Sequence, residues 1–448
     1  MPVNPADSPV MGALYGTDAM RAAMGERAWL ARMLDVEVAL AIAEARLGIV
    51  PQAAATAIAA AADVDRLDLE ELARATANTG YPVVGLVRQL SALAGPEGGK
   101  WTHWGATTQD IMDTATVLQM RQGLALIRMD LVQLNTALAS MAMRHRDTVM
   151  AGRTHLQHAL PVTFGYKVAV WLSPLISMVE RLDQLRPRVE KVQFGGAAGT
   201  LASLGDRGLE VQRELASELG LAVGDIPWHV ARDGFCEVTN FLGLLCGALS
   251  KIATDVMLMM QTEVAEVAEA HQAGRGGSST MPQKRNPISC EYVLAQSRGV
   301  HALVPQMLAA MAQDLERGTG PWQAEALAIG QAFNLTHGAL LCARNIADGL
   351  VVDPARMARN LASTGGLIAA EQVMMGLAPS LGRGEAHHIV NHACNVALEH
   401  GMPLAEALLA DPQISARMRP EEVRALCAPE NYLGQAGAFV DQVLARLG

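Results

Sequence analysis

The sequence predicts an all-α protein, three helical domains arranged about a central bundle of five long helices, and three observations carry that prediction. Half of the 448 residues are hydrophobic but only 4% are aromatic. The core must then be built from Ala, Leu, Val and Met, a composition that packs helices more readily than a β-sandwich. Residues 110–147 contain no proline and one glycine, and Leu118, Leu124, Ile127, Leu131, Leu134, Leu138 and Met141 recur along one face, which reads as one unusually long helix. Four further apolar stretches of similar length follow it.

From Arg21 to about Leu47, the residues Trp29, Met33, Val36, Leu40, Ala43 and Leu47 alternate at spacings of four and three, one face of a helix, with Gly48 as its stop. Shorter helices fit Pro51 to Ala62 and Leu67 to Ala77, and the Gly- and Pro-bearing segment Gly80 to Gly99 completes an N-terminal domain, residues 1–108. The central domain, residues 109–352, takes the long helix from Asp110. A second runs from about Val162 to Val192, bent at Pro174. A third, Asp233 to about Ala270, is apolar round much of its circumference and requires partners on several sides. The fourth spans Pro287 to about Leu315 and the fifth Gln323 to about Leu350. The surplus apolar surface predicts a homo-oligomer. After Asp353-Pro354 the helices shorten and become more polar, a third domain over residues 353–448.

The formal charge is -10 with no Lys/Arg block, which argues against a nucleic-acid partner and leaves a polycarboxylate ligand open, because a few converging cations decide that locally. The six cysteines are scattered without CxxC pairing and read as reduced residues of a cytoplasmic protein. No His/Cys cluster has zinc spacing, so no metal is expected, and no cofactor motif is visible. The glycine-rich run from Phe194 lacks the preceding strand of a nucleotide-binding fingerprint. The N-terminus lacks a signal-peptide pattern, and charged or Gln residues interrupt the apolar stretches, so no membrane span is expected.

Three polar clusters could carry chemistry. Thr102-His103-Trp104-Gly105-Ala106-Thr107-Thr108-Gln109-Asp110 opens the longest helix. Its hydroxyls and carboxylate can cap free amides, and the same amides and helix dipole can hold a substrate carboxylate. Gly152-Arg153-Thr154-His155-Leu156-Gln157-His158 pairs two histidines beside a helix start, a pattern open to a structural or a catalytic reading. Gly276-Gly277-Ser278-Ser279-Thr280-Met281-Pro282-Gln283-Lys284-Arg285-Asn286-Pro287 combines glycines, hydroxyls, cations and an amide. It can serve as an anion cradle or as a plain linker.

Gly277 to Pro287 resembles the signature loop of the aspartase/fumarase superfamily, and the other two clusters resemble its first and second signature regions, in the family's order. The resemblance covers most of the chain. It implies elimination or addition β to a carboxylate through an aci-carboxylate carbanion, in a homotetramer whose sites each draw regions from different subunits. It implies Ser278 as general base, with Lys284 and Asn286 holding the substrate carboxylate beside Ser279 and Arg285. Thr107, Thr108 and Gln109 match the first region's substrate-binding residues, and His103 a histidine found there in the adenylosuccinate lyase branch. Thr154 and His155 match the second region, whose histidine pairs with a glutamate at the position of Glu291.

Within the superfamily, residues 80–87, 194–204 and 316–325 are most similar to the bacterial 3-carboxy-cis,cis-muconate cycloisomerase branch, which adds a substrate's own carboxylate across its double bond. Gly80-Tyr81-Pro82-Val83-Val84 lacks the His-Asp context of adenylosuccinate lyases. In the other direction, Gln283 resembles argininosuccinate lyase, and bacterial cycloisomerases can lack the second-region histidine. A lyase releasing fumarate from an N-substituted aspartate therefore stays open. A purely structural role is disfavoured because the polar clusters are intact.

Overall fold

The computed structural model describes residues 3–270, 281 and 283–447. Helices dominate, as the composition predicts, and by contact the chain divides into two compact units, each assembled from three separated stretches. The first comprises residues 1–131, 178–249 and 292–341, the second 132–177, 250–291 and 342–448. Each of the five longest helices of the central region crosses from one set of residues to the other.

In the first unit, the helix expected from Arg21 is two, Asp18–Met24 and Glu26–Arg46, broken at Gly25. A Cβ at Gly25 would lie 2.6 Å from the Arg21 carbonyl, so only glycine allows the chain to turn there. Leu30, Met33 and Leu34 pack with Ala55, Ile58, Leu86 and Leu90 against Ile111, Ala115 and Leu118 of the long helix, which runs Thr108–Arg144. The expected fifth helix is also split, into Pro321–Glu325 and Ile329–Gly349.

In the second unit the all-α expectation meets an exception: Val149–Thr154 and Gln157–Thr163 form an antiparallel hairpin. The helix predicted from Val162 consequently begins at Phe164 and continues unbroken through Pro174 to Val189, with Thr163 Oγ1 accepting the Tyr166 amide at 3.1 Å as its cap. The third long helix, Asp233–Met260, ends ten residues before its predicted limit. The cause is Glu266: its buried carboxylate is gripped by Arg153 at 2.9 and 2.6 Å and by Asn360 at 2.9 Å. The chain must leave the helix to place it there, turning at Ala265 with φ +50°. The fourth helix, Ile288–Ala310, also stops short of its predicted Leu315. A C-terminal core of Val373, Leu377, Ile389, Val390, Leu404 and Leu408 closes the unit.

By length and hydropathy alone, helix Asp233–Met260 with mean hydropathy 1.6 and the stretch 321–349, with 1.2, are apolar enough to cross a membrane. Half and two thirds of their apolar windows are buried inside the chain, as core helices require.

Candidate active site

The first cluster lies in the first unit and is organised by Asp110. Its carboxylate, fully buried, accepts five hydrogen bonds: from Gln193 Nε2 at 3.1 Å, the Gly195 and Gly196 amides at 3.0 and 2.9 Å, the Thr107 amide at 3.0 Å and the His229 ring at 2.7 Å. The Thr107 bond is half of a capping box, N3 carboxylate to N-cap amide. The Gly195 and Gly196 bonds explain the glycine-rich run. A Cβ at Gly195 would meet Pro227 at 2.7 Å and His229 at 3.0 Å, and Gly196 has φ +68°, so side chains there would push the loop off the carboxylate.

Thr107 and Thr108 remain partly exposed at the start of the long helix, placed to offer hydroxyls beside its free amides. Gln109 points the other way. It is buried, and its Nε2 donates to Asp113 at 3.0 Å and to the His229 carbonyl at 2.9 Å, while its Oε1 has no partner among the described residues. His103, at φ +63°, bonds the buried Glu37 through Nδ1 at 2.6 Å. Burial works against a charged ring, but the pull of Glu37, its hydrogen bond and Asp110 outweigh it and hold the imidazole above its ordinary pKa.

One turn on, Asp113 belongs to a buried network that no sequence motif announces. Arg232 bonds Asp113 at 2.6 and 3.1 Å and Glu325 at 2.9 Å, while Trp322 Nε1 donates to Asp113 at 3.2 Å. Burial opposes the charge of Arg232, and the two carboxylates more than restore it. Two of the three segments similar to cycloisomerases meet here: Tyr81 stacks on Trp322 with centroids 5.5 Å apart, and Gln323 donates to the Tyr81 hydroxyl at 3.3 Å. A cavity of about 390 Å³ adjoins them, walled by Glu26, Tyr81, Asp113, Phe235, Trp322 and Glu325 among others. Among the described residues no Lys or Arg lines it, and neither do His103, Thr107, Thr108 or Gln109.

The second cluster, in the second unit, is the hairpin itself. Thr154 pairs with Gln157, leaving His155 and Leu156 as a two-residue turn with φ +50° and +65°. Such a turn wants Asn-Gly, and left-handed backbone at His and Leu costs about 1–3 kcal/mol each. The tip is exposed, Leu156 by 74%. Thr154 is exposed beside it, whereas His158 turns inward with its Nδ1 buried. Burial lowers the His158 pKa, Arg153 adds to that, and Glu266 opposes it. The two histidines are thereby separated into an exposed one and an inward one. Nothing in the local sequence except the strain of His-Leu at such a turn marks the difference.

Of the third cluster, Ser278 and Ser279 lie outside the described residues, as do the rest of 271–280 and Pro282. On its far side Lys284 and Arg285 are exposed and Asn286 is half-buried. The segment's ends are tied by one side chain: Glu269 accepts the Ser289 and Cys290 amides at 3.1 and 3.0 Å, capping helix Ile288–Ala310 from twenty residues earlier. Glu291, in the first turn of that helix, is exposed and is not bonded to His155 within one chain. Burial, reinforced by Glu269, pushes the Cys290 thiol far up, which removes it as a nucleophile.

The chain belongs to the lyase family. Residues 14–301 match the family model described as lyase, and residues 366–443 match that of the adenylosuccinate lyase C-terminus. Among relatives, 3-carboxy-cis,cis-muconate cycloisomerase of Pseudomonas aeruginosa is 46% identical over 95% of this chain and 94% of its own. Trans-aconitate decarboxylase 1 of Mycosarcoma maydis is 44% identical over 97% of this chain and 88% of its own. The crystal structure of the 3-carboxy-cis,cis-muconate lactonizing enzyme from Pseudomonas putida superposes with a TM-score of 0.94, at 43% identity, covering 98% of this chain and 99% of that one.

Proposed function

We propose that this enzyme lactonises 3-carboxy-cis,cis-muconate or a closely similar unsaturated polycarboxylate, adding a substrate carboxylate across the double bond through an aci-carboxylate intermediate. The observation that carries the reading is the near end-to-end similarity to 3-carboxy-cis,cis-muconate cycloisomerase of Pseudomonas aeruginosa at 46% identity, with all three polar clusters present in this sequence. The proton next to a carboxylate is very weakly acidic. The charge that develops when it moves must meet preset donors: Thr107 and Thr108 at the start of helix Thr108–Arg144, and Lys284 and Asn286 after the loop. Ser278 is the proposed proton carrier: its hydroxyl delivers the proton to the aci-carboxylate carbon in lactonisation, and the resulting alkoxide takes it back in the reverse elimination. Gln109, bonded inward, acts in this scheme by holding Asp113 and the His229 carbonyl.

The working unit is a homotetramer, in the cytoplasm, with each site built from several subunits. Two features support the shared site: His155 and Glu291 are both exposed and unbonded to each other in one chain, and an apolar Leu156 crowns the hairpin. His155, oriented by a Glu291 carboxylate, would supply a proton to a departing group. The presence of His155 on a strained, exposed turn also favours a second reading, fumarate release from an N-substituted aspartate, because a departing amine needs that proton and a departing carboxylate does not.

An absorbance screen separates the readings. Loss of the diene signal of 3-carboxy-cis,cis-muconate without fumarate supports lactonisation, and fumarate from adenylosuccinate, argininosuccinate or a simpler N-substituted aspartate supports the lyase. Release of carbon dioxide from trans-aconitate, with neither of these, overturns both.

A further inference from the structure

We propose that Glu37 is a positioning residue for the reaction: its buried carboxylate holds Nδ1 of His103, leaving Nε2–H for a carboxylate of the substrate. This rests on the proposed function in one respect only, that the substrate is a carboxylate bound at the first polar cluster.

The geometry is specific. Helix Glu26–Arg46 carries Glu37 into the interior, where its side chain has no exposed surface. His103 keeps about a fifth of its side chain exposed. The 2.6 Å bond joins Nδ1 to Glu37 Oε1, so Nε2 is the ring nitrogen without a partner among the described residues. The ring is brought to the carboxylate by a left-handed backbone at His103, φ +63°, a conformation that a side chain other than glycine adopts only when its surroundings impose it. Four residues later come Thr107 and Thr108, so the exposed edge of the ring belongs to the same segment as the hydroxyls and free amides of the long helix.

A second buried acid stands on the same helix. Glu44 lies two helical turns beyond Glu37, on the same face. Both of its carboxyl oxygens are buried without a hydrogen-bond partner, as is Glu37 Oε2. Burial first, and then the charge of Glu37, push Glu44 up to about 9. Glu44 therefore keeps its proton at neutral pH, and Glu37 is the acid of this helix that bonds the ring. The ionisable groups acting on the ring are thus Glu37, backed by neutral Glu44, from one helix and Asp110 from the other, with Asp110 in turn paired to His229. All of them favour the imidazolium or are neutral, and burial alone opposes it.

The test has one arm without substrate and one with it. Carbethoxylation by diethyl pyrocarbonate, followed residue by residue by peptide mass spectrometry on the full-length protein, reports the neutral fraction of each imidazole against pH. In the wild type, the His103 midpoint should lie above the ordinary histidine value of about 6.5. In Glu37→Gln the midpoint should move to a pH lower by about one or more. Glu37→Asp, a methylene shorter, should fall in between, and Glu44→Gln should match the wild type. With 3-carboxy-cis,cis-muconate as substrate, the alkaline limb of kcat/KM should move with the midpoint, so that a midpoint lower by about one on the pH scale leaves about a tenth of the wild-type value on that limb.

A wild-type midpoint at or below the ordinary value overturns the proposal without any variant, as does an unmoved midpoint in folded Glu37→Gln. A midpoint that moves while the kcat/KM profile stays fixed overturns the positioning role. Absence of turnover by the wild type on every carboxylate of the screen defeats the proposed function instead, and the titration arm then stands by itself.

Discussion

Replacing Asp110 by Asn tests whether one buried carboxylate assembles the first polar cluster. The amide keeps one acceptor oxygen and puts an NH₂ where the other stood. If the retained oxygen faces Gln193, the Gly195 amide and His229, the NH₂ faces the Gly196 and Thr107 amides, two donors that sit 2.9 and 3.0 Å from the present oxygen. The other orientation loses three bonds, so the first is the cheaper. Hydrogen bonds to a charged group are worth about 1.5–3 kcal/mol each, and two are lost, so the variant should be destabilised by about 3–6 kcal/mol. The damage should be local before it is global. Hydrogen exchange followed by mass spectrometry should show faster exchange in peptides covering residues 194–200 and 105–110, and urea unfolding should begin at lower concentration. Unchanged exchange in both peptides with a loss below about 1 kcal/mol would refute the hub role of Asp110.

Four further outcomes are expected. Ser278→Ala should lower kcat by about 10²–10⁴, the range for a missing general acid–base group; full turnover on the true substrate would remove Ser278 from the chemistry. His155→Asn should leave lactonisation nearly intact but strongly slow release of an amine from an N-substituted aspartate, so equal losses on both would contradict the acid role. Glu44→Gln should flatten the pH dependence of stability: the folded pKa of about 9 lies above the ordinary glutamate value of 4.5. Glu44's contribution is therefore fully present below about pH 4.5 and lost as pH rises towards 9; thermal melts across that window measure it, and identical slopes in wild type and variant would contradict the buried, protonated acid. Arg232→Met leaves Asp113 and Glu325 buried without their cation, and should cost about 3–5 kcal/mol by chemical denaturation; a neutral result would mean that the carboxylates find other partners.

The apolar periodicity located the long helices because burying one stripe of a helix is a local constraint, written every third or fourth residue. It misplaced their ends because helix ends are set by distant side chains. Glu266 leaves the third helix for Arg153, and Glu269 caps a helix twenty residues further on. The hairpin at Val149–Thr163 escaped notice for a related reason: its turn residues, His155 and Leu156, are poor turn formers, and the strands are held by the packing of Val149 and Ala151 with Leu361 and Ile368.

By itself, the sequence determined the helical class, the lyase family, and which three short polar stretches to examine, since composition, period and motif are properties of neighbouring residues. Only the tertiary structure decided which members of those stretches face outward. It turned Gln109 and His158 inward and raised His155 on a strained tip. It also drew Glu37, Asp113, His229, Arg232 and Glu325 into the surroundings of the first cluster, or beside it, from remote parts of the chain. A buried charge requires partners wherever the fold can bring them, and a linear spacing carries no record of which they will be.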